Sequence, residues 1–284
     1  MTDPPKPTKP LLPTKPRFFF KGFPEDVRFR AHTVPEALEF AKGTLYEAWF
    51  TALQLSPYLA QAVDSGQWPS QAAQETHELF GDLRTTTFDA WWVACGHALF
   101  AEQRAFRRVF VNEPTQGQQP STPGSAASIS LEIPLDVSPA TLKRQFDQLL
   151  REHHPHYRDF DRWRASTAPV RLENRKLTSV SINLYLEVYR CWLAKGGFSG
   201  QEVRLYEIGE ALRLDPKNTV LRSDPPRFAS AKHLKMSLLV SDYLEKAKNL
   251  VAHATEGRFP CTDDHPWVPR RTRAARTPNA GDTD

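Results

Sequence analysis

"RLYEIGEALRLD", residues 204–215, is the stretch on which the fold turns. Leu205, Ile208, Ala211 and Leu212 recur at the spacing of a short amphipathic helix, and Leu214 closes the run. Gly209 sits inside that stripe, although a glycine in a helix interior costs about 1 kcal/mol relative to alanine. The loss is offset if another helix crosses close to the backbone, so Gly209 is expected to be a packing contact. The alternative is a poorly optimised surface helix.

Two longer helical patterns flank it. In 178–194, Leu184, Tyr185, Val188, Tyr189 and Trp192 share a face, and Gly196-Gly197 ends the run. The last helix is expected from about Phe228 to His253, burying Leu234, Leu238, Val240, Leu244, Ala247 and Val251. Upstream, Thr33 and Glu36 form a capping box with Pro35 in the first turn. The stripe Leu38, Ala41, Leu45, Trp49, Ala52, Leu53 follows, and Gly43 is placed to split it in two. Ser56-Pro57 restarts a helix, another spans Ser70 to Phe80, and residues 88–101 form a dense apolar helix in which Trp91, Trp92 and Cys95 read as core.

Residues 112–128, rich in Gln, Ser, Pro and Gly, read as a linker. Beyond it Ile129, Leu131, Ile133 and Leu135 alternate as in a strand, at an edge because of Pro134. Ser138 then caps a helix with Pro139 at its first position, expected to bury Leu142, Phe146, Leu149 and Leu150. The expected fold is therefore mainly α, with two helical modules joined by a Pro/Gln/Ser linker and one short β-strand near 129–135. The modules are 31–111 and 129–257, between a basic, Pro-rich disordered tail at 1–30 and a basic tail at 258–284. Within the first tail, "RFFFKGF" is placed to dock as a short strand or apolar clip, or to serve as an aromatic patch for a partner.

Composition narrows the function classes. Forty per cent hydrophobic residues suffice for a core and argue against global disorder. The net charge of +4 is mild but unevenly spread. Residues 1–30 carry seven Lys/Arg against three acids, 33–113 five against ten, and 139–176 nine against five. An acidic module beside a basic one makes the basic part a candidate for polyanions. Three cysteines, odd in number and far apart, fit a reducing compartment rather than a disulfide framework. With no apolar run of membrane-spanning length and no signal-peptide core, the expectation is a cytoplasmic protein with no membrane contact.

The helices at 178–194, 201–214 and 228–253 together resemble the helix-turn-helix class of DNA-binding domains. In that class a small residue in the middle helix admits the next one, whose front end enters the major groove. The connection at 215–227 is longer than the class's usual three or four residues. The resemblance implies duplex DNA as partner, with Arg227, Ser230, Lys232, His233 and Lys235 on the reading helix and Arg222 placed for phosphate. The chain as a whole is similar in character to proteins of bacterial mobile elements, which implies a regulator or accessory factor. A different class stays open: a non-enzymatic interaction subunit, or a homo-oligomer, using the first helical module and the "RFFF" aromatics.

Chemistry has less support. There is no glycine-rich phosphate loop, no G-x-S-x-G, no H-E-x-x-H and no paired C-x-x-C, so no catalytic residue and no cofactor is expected. His153, His154, His156, Asp159 and Asp161 could supply ligands to a metal-dependent nuclease, but a helix end with solvent-facing histidines accounts for them equally. Cys261, His265 and His253 make only a fragment of a metal motif, so no metal is expected. The arginines and aromatics of 157–176 suit single-stranded nucleic acid or an ordinary loop plugged into the core.

Overall fold

The computed structural model describes residues 17–104, 131, 133–134, 136–154, 156–159, 161, 166–173 and 176–269. The 112–128 linker, the tail beyond 269, and Phe160, Arg162, Trp163, Arg164 and Arg175 of the basic run lie outside the described residues. The chain is mainly α-helical. In order come α1 (Val34–Ala41), α2 (Leu45–Gln54), α3 (Pro57–Ser65), α4 (Gln71–Phe80), α5 (Phe88–Trp91), a π-helical turn (Trp92–Gly96), α6 (His97–Phe100), α7 (Pro139–His153), α8 (Ser179–Ala194), α9 (Leu205–Ala211) and α10 (Pro226–Thr255). Short 3-10 turns stand at Gly197–Ser199 and Pro216–Asn218.

Local chemistry accounts for most boundaries. Glu36 accepts from the Thr33 amide at 2.8 Å to start α1. Gly43, at φ +71°, makes the break before α2. The hydroxyls of Ser56, Ser70, Ser138 and Thr178 cap α3, α4, α7 and α8 by accepting a backbone amide three residues on. Trp91 and Trp92 are both buried, on neighbouring positions, across the π-helical turn. A Cβ at Gly96 would come within 2.5 Å of the Trp91 ring, so that turn closes only over a glycine.

Three expectations change. First, the two helical segments share one core rather than forming separate packing units. Trp49 of α2 donates to the Ala254 carbonyl at the end of α10 (3.4 Å), and Ser56 meets Thr255 (2.8 Å). Trp49 also stacks on Phe259 with ring centroids 5.3 Å apart. Second, both presumed tails contribute to that core where they are described. Phe20 and Phe23 are buried, stacked on each other at 4.6 Å, and Phe20 leans on Trp92. Phe18 bridges His32, so "RFFFKGF" is a clip and its aromatics are no free contact patch. Phe259, Cys261, His265 and Val268 are buried too. Aromatic side chains bury large areas, and a chain this rich in them gains more by folding its ends inward than by leaving them in water.

Third, Leu131, Ile133 and Pro134 belong to no strand, and Leu131 and Ile133 are exposed; 129, 130, 132 and 135 lie outside the described residues. Alternation needs a neighbouring strand to become a sheet. Among the described residues the only β pairing is the bridge at Phe18 and His32.

α8, α9 and α10 pack on one another. Tyr185 meets Tyr243 (5.4 Å), and Lys248 lies over the Trp192 ring (4.1 Å). α9 crosses α10 at Gly209, where an added Cβ would stand 2.4 Å from Met236 Sδ and 2.9 Å from Val240 Cγ2. Met236 can swing away, but Val240 is β-branched and buried.

The end of α10 also holds a histidine pair. His253 and His265 meet edge to face at 4.7 Å. His253 Nε2–H donates to the Asp263 carbonyl (3.0 Å), and His265 Nε2 bonds Glu256 (3.0 Å). His253 Nδ1 is buried with no hydrogen-bond partner among the described residues. Burial therefore pushes the His253 pKa below its ordinary value.

Two outcomes follow from this packing. Gly209→Ala, which helix propensity alone would make stabilising, is expected to lower stability by about 1–3 kcal/mol in urea unfolding, and the double variant with Met236→Ala should lose less than the sum of the two single losses. As pH falls below the ordinary histidine value of 6.5, the unfolded chain takes up a proton that folded His253 refuses. The urea midpoint should therefore fall between about pH 7.5 and pH 5.5, and His253→Gln should flatten that fall.

Candidate binding surfaces on α7 and α10

α10 lives in two environments. Its second half is buried from Ala247 to Thr255 almost without interruption. Its first half packs on α9 along Met236 and Val240 and on the connection before it through Lys232, and its opposite side is open. At about 100° per residue, Met236, Val240, Leu244 and Ala247 form the inward stripe. Leu234 and Leu238 fall on the opposite side, which corrects the expectation that they are buried. Leu234 is 63 % exposed and Leu238 54 %, and Phe228, near the same face, is 64 % exposed.

The residues expected to read DNA divide into two groups. Lys232 turns back onto the connection, donating to Asp224 (2.7 Å) and to the Thr219 carbonyl (3.2 Å). The Leu221 amide and then Lys232 hold the Asp224 carboxyl below its usual range, so that pair is ionised and internally matched. His233 stacks on Tyr206 with centroids 3.9 Å apart, and its Nε2 lies 3.6 Å from Glu210. Both side chains tie α10 to what precedes it. Arg222, Arg227, Ser230 and Lys235 are exposed. The first two and Lys235 form no ion pair among the described residues, while Ser230 donates back to the Pro226 carbonyl at 3.0 Å. The open face is therefore a mixture of three cations and three large apolar groups.

α7 is the second surface. It is well built locally: Pro139 fills its first position, Arg151 pairs with Asp147 (2.6 Å), and Tyr157 folds back to donate to Asp147 (2.5 Å). That phenol, then Arg151, holds the Asp147 carboxyl below its usual range. Yet no residue of α7 is buried. Leu142, Leu149 and Leu150 are only half-covered and Phe146 is 43 % exposed, contrary to the expectation that this stripe belongs to the core.

The reason lies at the roots of the segment. The buried Glu102 carboxylate accepts from the Ser166 hydroxyl (2.6 Å), the Thr167 amide (2.6 Å) and the Thr167 hydroxyl (2.8 Å). The Glu102 amide donates to Phe19, and the Val170 amide donates to Leu99. The chain thus departs after Glu102 and returns at Ser166 in the same place, closing the core without α7. Nothing in the sequence marked Glu102, because a lone glutamate gives no sign of donors that arrive more than sixty residues later.

Among the described residues no three His, Cys, Asp or Glu side chains are arranged to hold a metal ion. His156 approaches Asp159 only at 3.7 Å on an exposed turn. Burial pushes the Cys95 and Cys191 thiols up, away from the reactive thiolate. A shallow hollow lined by Gln54, His77, Asp82 and Arg84 has its charges matched, since Arg84 bridges Asp82 and Asp64 and drives the Asp82 pKa down to about 2. Among the described residues no helix is long and apolar enough to cross a membrane. No protein-family model, curated protein or solved structure matches the chain.

Removing the Glu102 carboxylate strands two hydroxyl donors and an amide. Glu102→Ala should cost about 1–3 kcal/mol in chemical unfolding and speed hydrogen exchange at the Thr167 amide. Unchanged exchange there would mean that the carboxylate does not close this junction.

Proposed function

We propose that the chain acts as a non-enzymatic protein-interaction subunit, with α7 as its docking element. The observation that carries this reading is a capped, fifteen-residue helix with a regular apolar stripe and no buried residue. Leu142, Phe146, Leu149 and Leu150 stand at i, i+4, i+7 and i+8, the anchor spacing of a helix that lays one face into an apolar groove. Lys143 and Gln145 flank that stripe and suit the polar rim of such a groove. The Glu102 junction supports the same reading, since it keeps the core closed while α7 is engaged elsewhere.

A second reading is favoured by the front of α10. Residues 226–241 contain no Asp or Glu, and Arg222, Arg227, Ser230 and Lys235 are exposed there. Those groups suit the phosphates and base edges of duplex DNA, in a protein that works by occupancy as a regulator or accessory factor of a mobile element. The exposed leucines beside them favour protein over phosphate, and this reading therefore comes second.

A photo-crosslinking residue in place of Phe146, in the full-length chain inside cells, separates the two. Interaction through α7 predicts adducts that resist nuclease and disappear when Leu142 and Leu149 are changed to Asp. An absence of adducts, or adducts indifferent to those changes, overturns the proposal. For DNA, a gel shift at low salt should weaken on raising salt and vanish in Arg227→Glu/Lys235→Glu.

A further inference from the structure

The open face of α10 has a polarity that the α7 reading leaves unused. Arg227, Ala231, Leu234, Lys235, Leu238 and Asp242 occupy one side of the helix, opposite the Met236–Val240 stripe. The first of these is a cation that forms no ion pair among the described residues. The last is an exposed carboxylate whose partner is Lys246 of its own helix, at 2.8 Å. Between the two ends lie apolar groups and Lys235, whose methylene stem can lie along an apolar surface while its ammonium stays in water. From Arg227 to Asp242 the face runs about 22 Å at 1.5 Å per residue.

We propose that this face pairs with the same face of a second copy, the two α10 helices lying antiparallel about a two-fold axis between Leu234 and Lys235. Antiparallel pairing centred there sets Arg227 of each copy opposite Asp242 of the other, so the face is complementary in charge to itself. Ala231 falls opposite Leu238, a small residue facing a large one at both symmetry-related positions. Close to the axis each Leu234 meets its own mate on one flank and each Lys235 its own mate on the other, where the flexible stems lead the two ammonium groups apart into water. Phe228 lies at the margin, where it covers the edge of the apolar strip. A self-complementary patch of this kind is what an isologous dimer requires: each contact is made twice, and the assembly closes at two. A parallel arrangement would set Arg227 against Arg227 and Asp242 against Asp242. Asp242 keeps Lys246 in the dimer, because a carboxylate has lone pairs for both cations.

Sedimentation velocity of the full-length chain across a wide concentration range tests this. A monomer–dimer equilibrium is expected. Leu238→Asp should weaken it at least about tenfold while shifting the urea midpoint, read at a concentration where the chain is monomeric, by little, because Leu238 is more than half exposed within one chain. Arg227→Asp and Asp242→Arg should each weaken it several-fold, and the double variant should recover most of the loss. A chain that stays monomeric throughout overturns the proposal, as does a dimer indifferent to Leu238→Asp. A dimer lost on Phe146→Asp but kept in Leu238→Asp would place self-association on α7 and overturn it equally. Failure of the double variant to recover overturns the antiparallel register.

Discussion

Trp49 is the contact on which the rest of the molecule leans. Its indole, fully buried, packs against Phe80 and Phe100 from the first half of the chain and stacks on Phe259 from the far end. Its N–H reaches the Ala254 carbonyl near the end of α10. One side chain thereby joins α2, α4, α6, α10 and the segment after α10. A large aromatic ring closing a core contributes several times what an aliphatic methyl does, and ring-on-ring contacts add about 0.5–1.5 kcal/mol each. That arrangement draws in Phe259, Cys261 and Val268 beyond 257, as Phe20, Phe23 and Val27 are drawn in before 31.

Anchoring α10 by its C-terminal half has a consequence for its other half. A thirty-residue helix is about 45 Å long, and only its second half is buried almost throughout. The first three turns are supported on one side only, by α9 pressed close at Gly209 and by the connection that Lys232 holds. The opposite side carries apolar and charged groups that no neighbour covers. Lys232 and His233 look like ligand-facing groups on a helical wheel, yet they act as ties to Asp224 and Tyr206. Charge on such a helix is informative only after the internal partners have been subtracted.

α7 shows the same principle from the other direction. Its cap, its proline and its polar pairs make it a stable local helix, and its stripe is as regular as any in the chain. Burial does not follow, because the junction at Glu102, Ser166 and Thr167 closes the core underneath it. The fold therefore carries two apolar surfaces outside its core, one on an excursion and one on a rigid helix. The two differ as surfaces: the α7 stripe is a narrow row of four apolar side chains, whereas the α10 face mixes leucines with charges of both signs.

What the sequence determined by itself was local. Thr33 with Glu36, Ser56-Pro57 and Ser138-Pro139 start helices because a hydroxyl, a carboxylate or a fixed φ satisfies the first turn without help from elsewhere. Gly43 breaks the first stripe for an equally local reason. The spacing around Gly209 marked a place where a crossing helix could approach closely. The tertiary structure alone decided which stripe is covered: Val240 and Leu244 are buried while Leu234 and Leu238, equally apolar, are not. It also merged two apparent modules and drew the aromatic ends into one core. Periodicity reports that a helix has an apolar side, whereas burial depends on what arrives from a distant part of the chain to cover it.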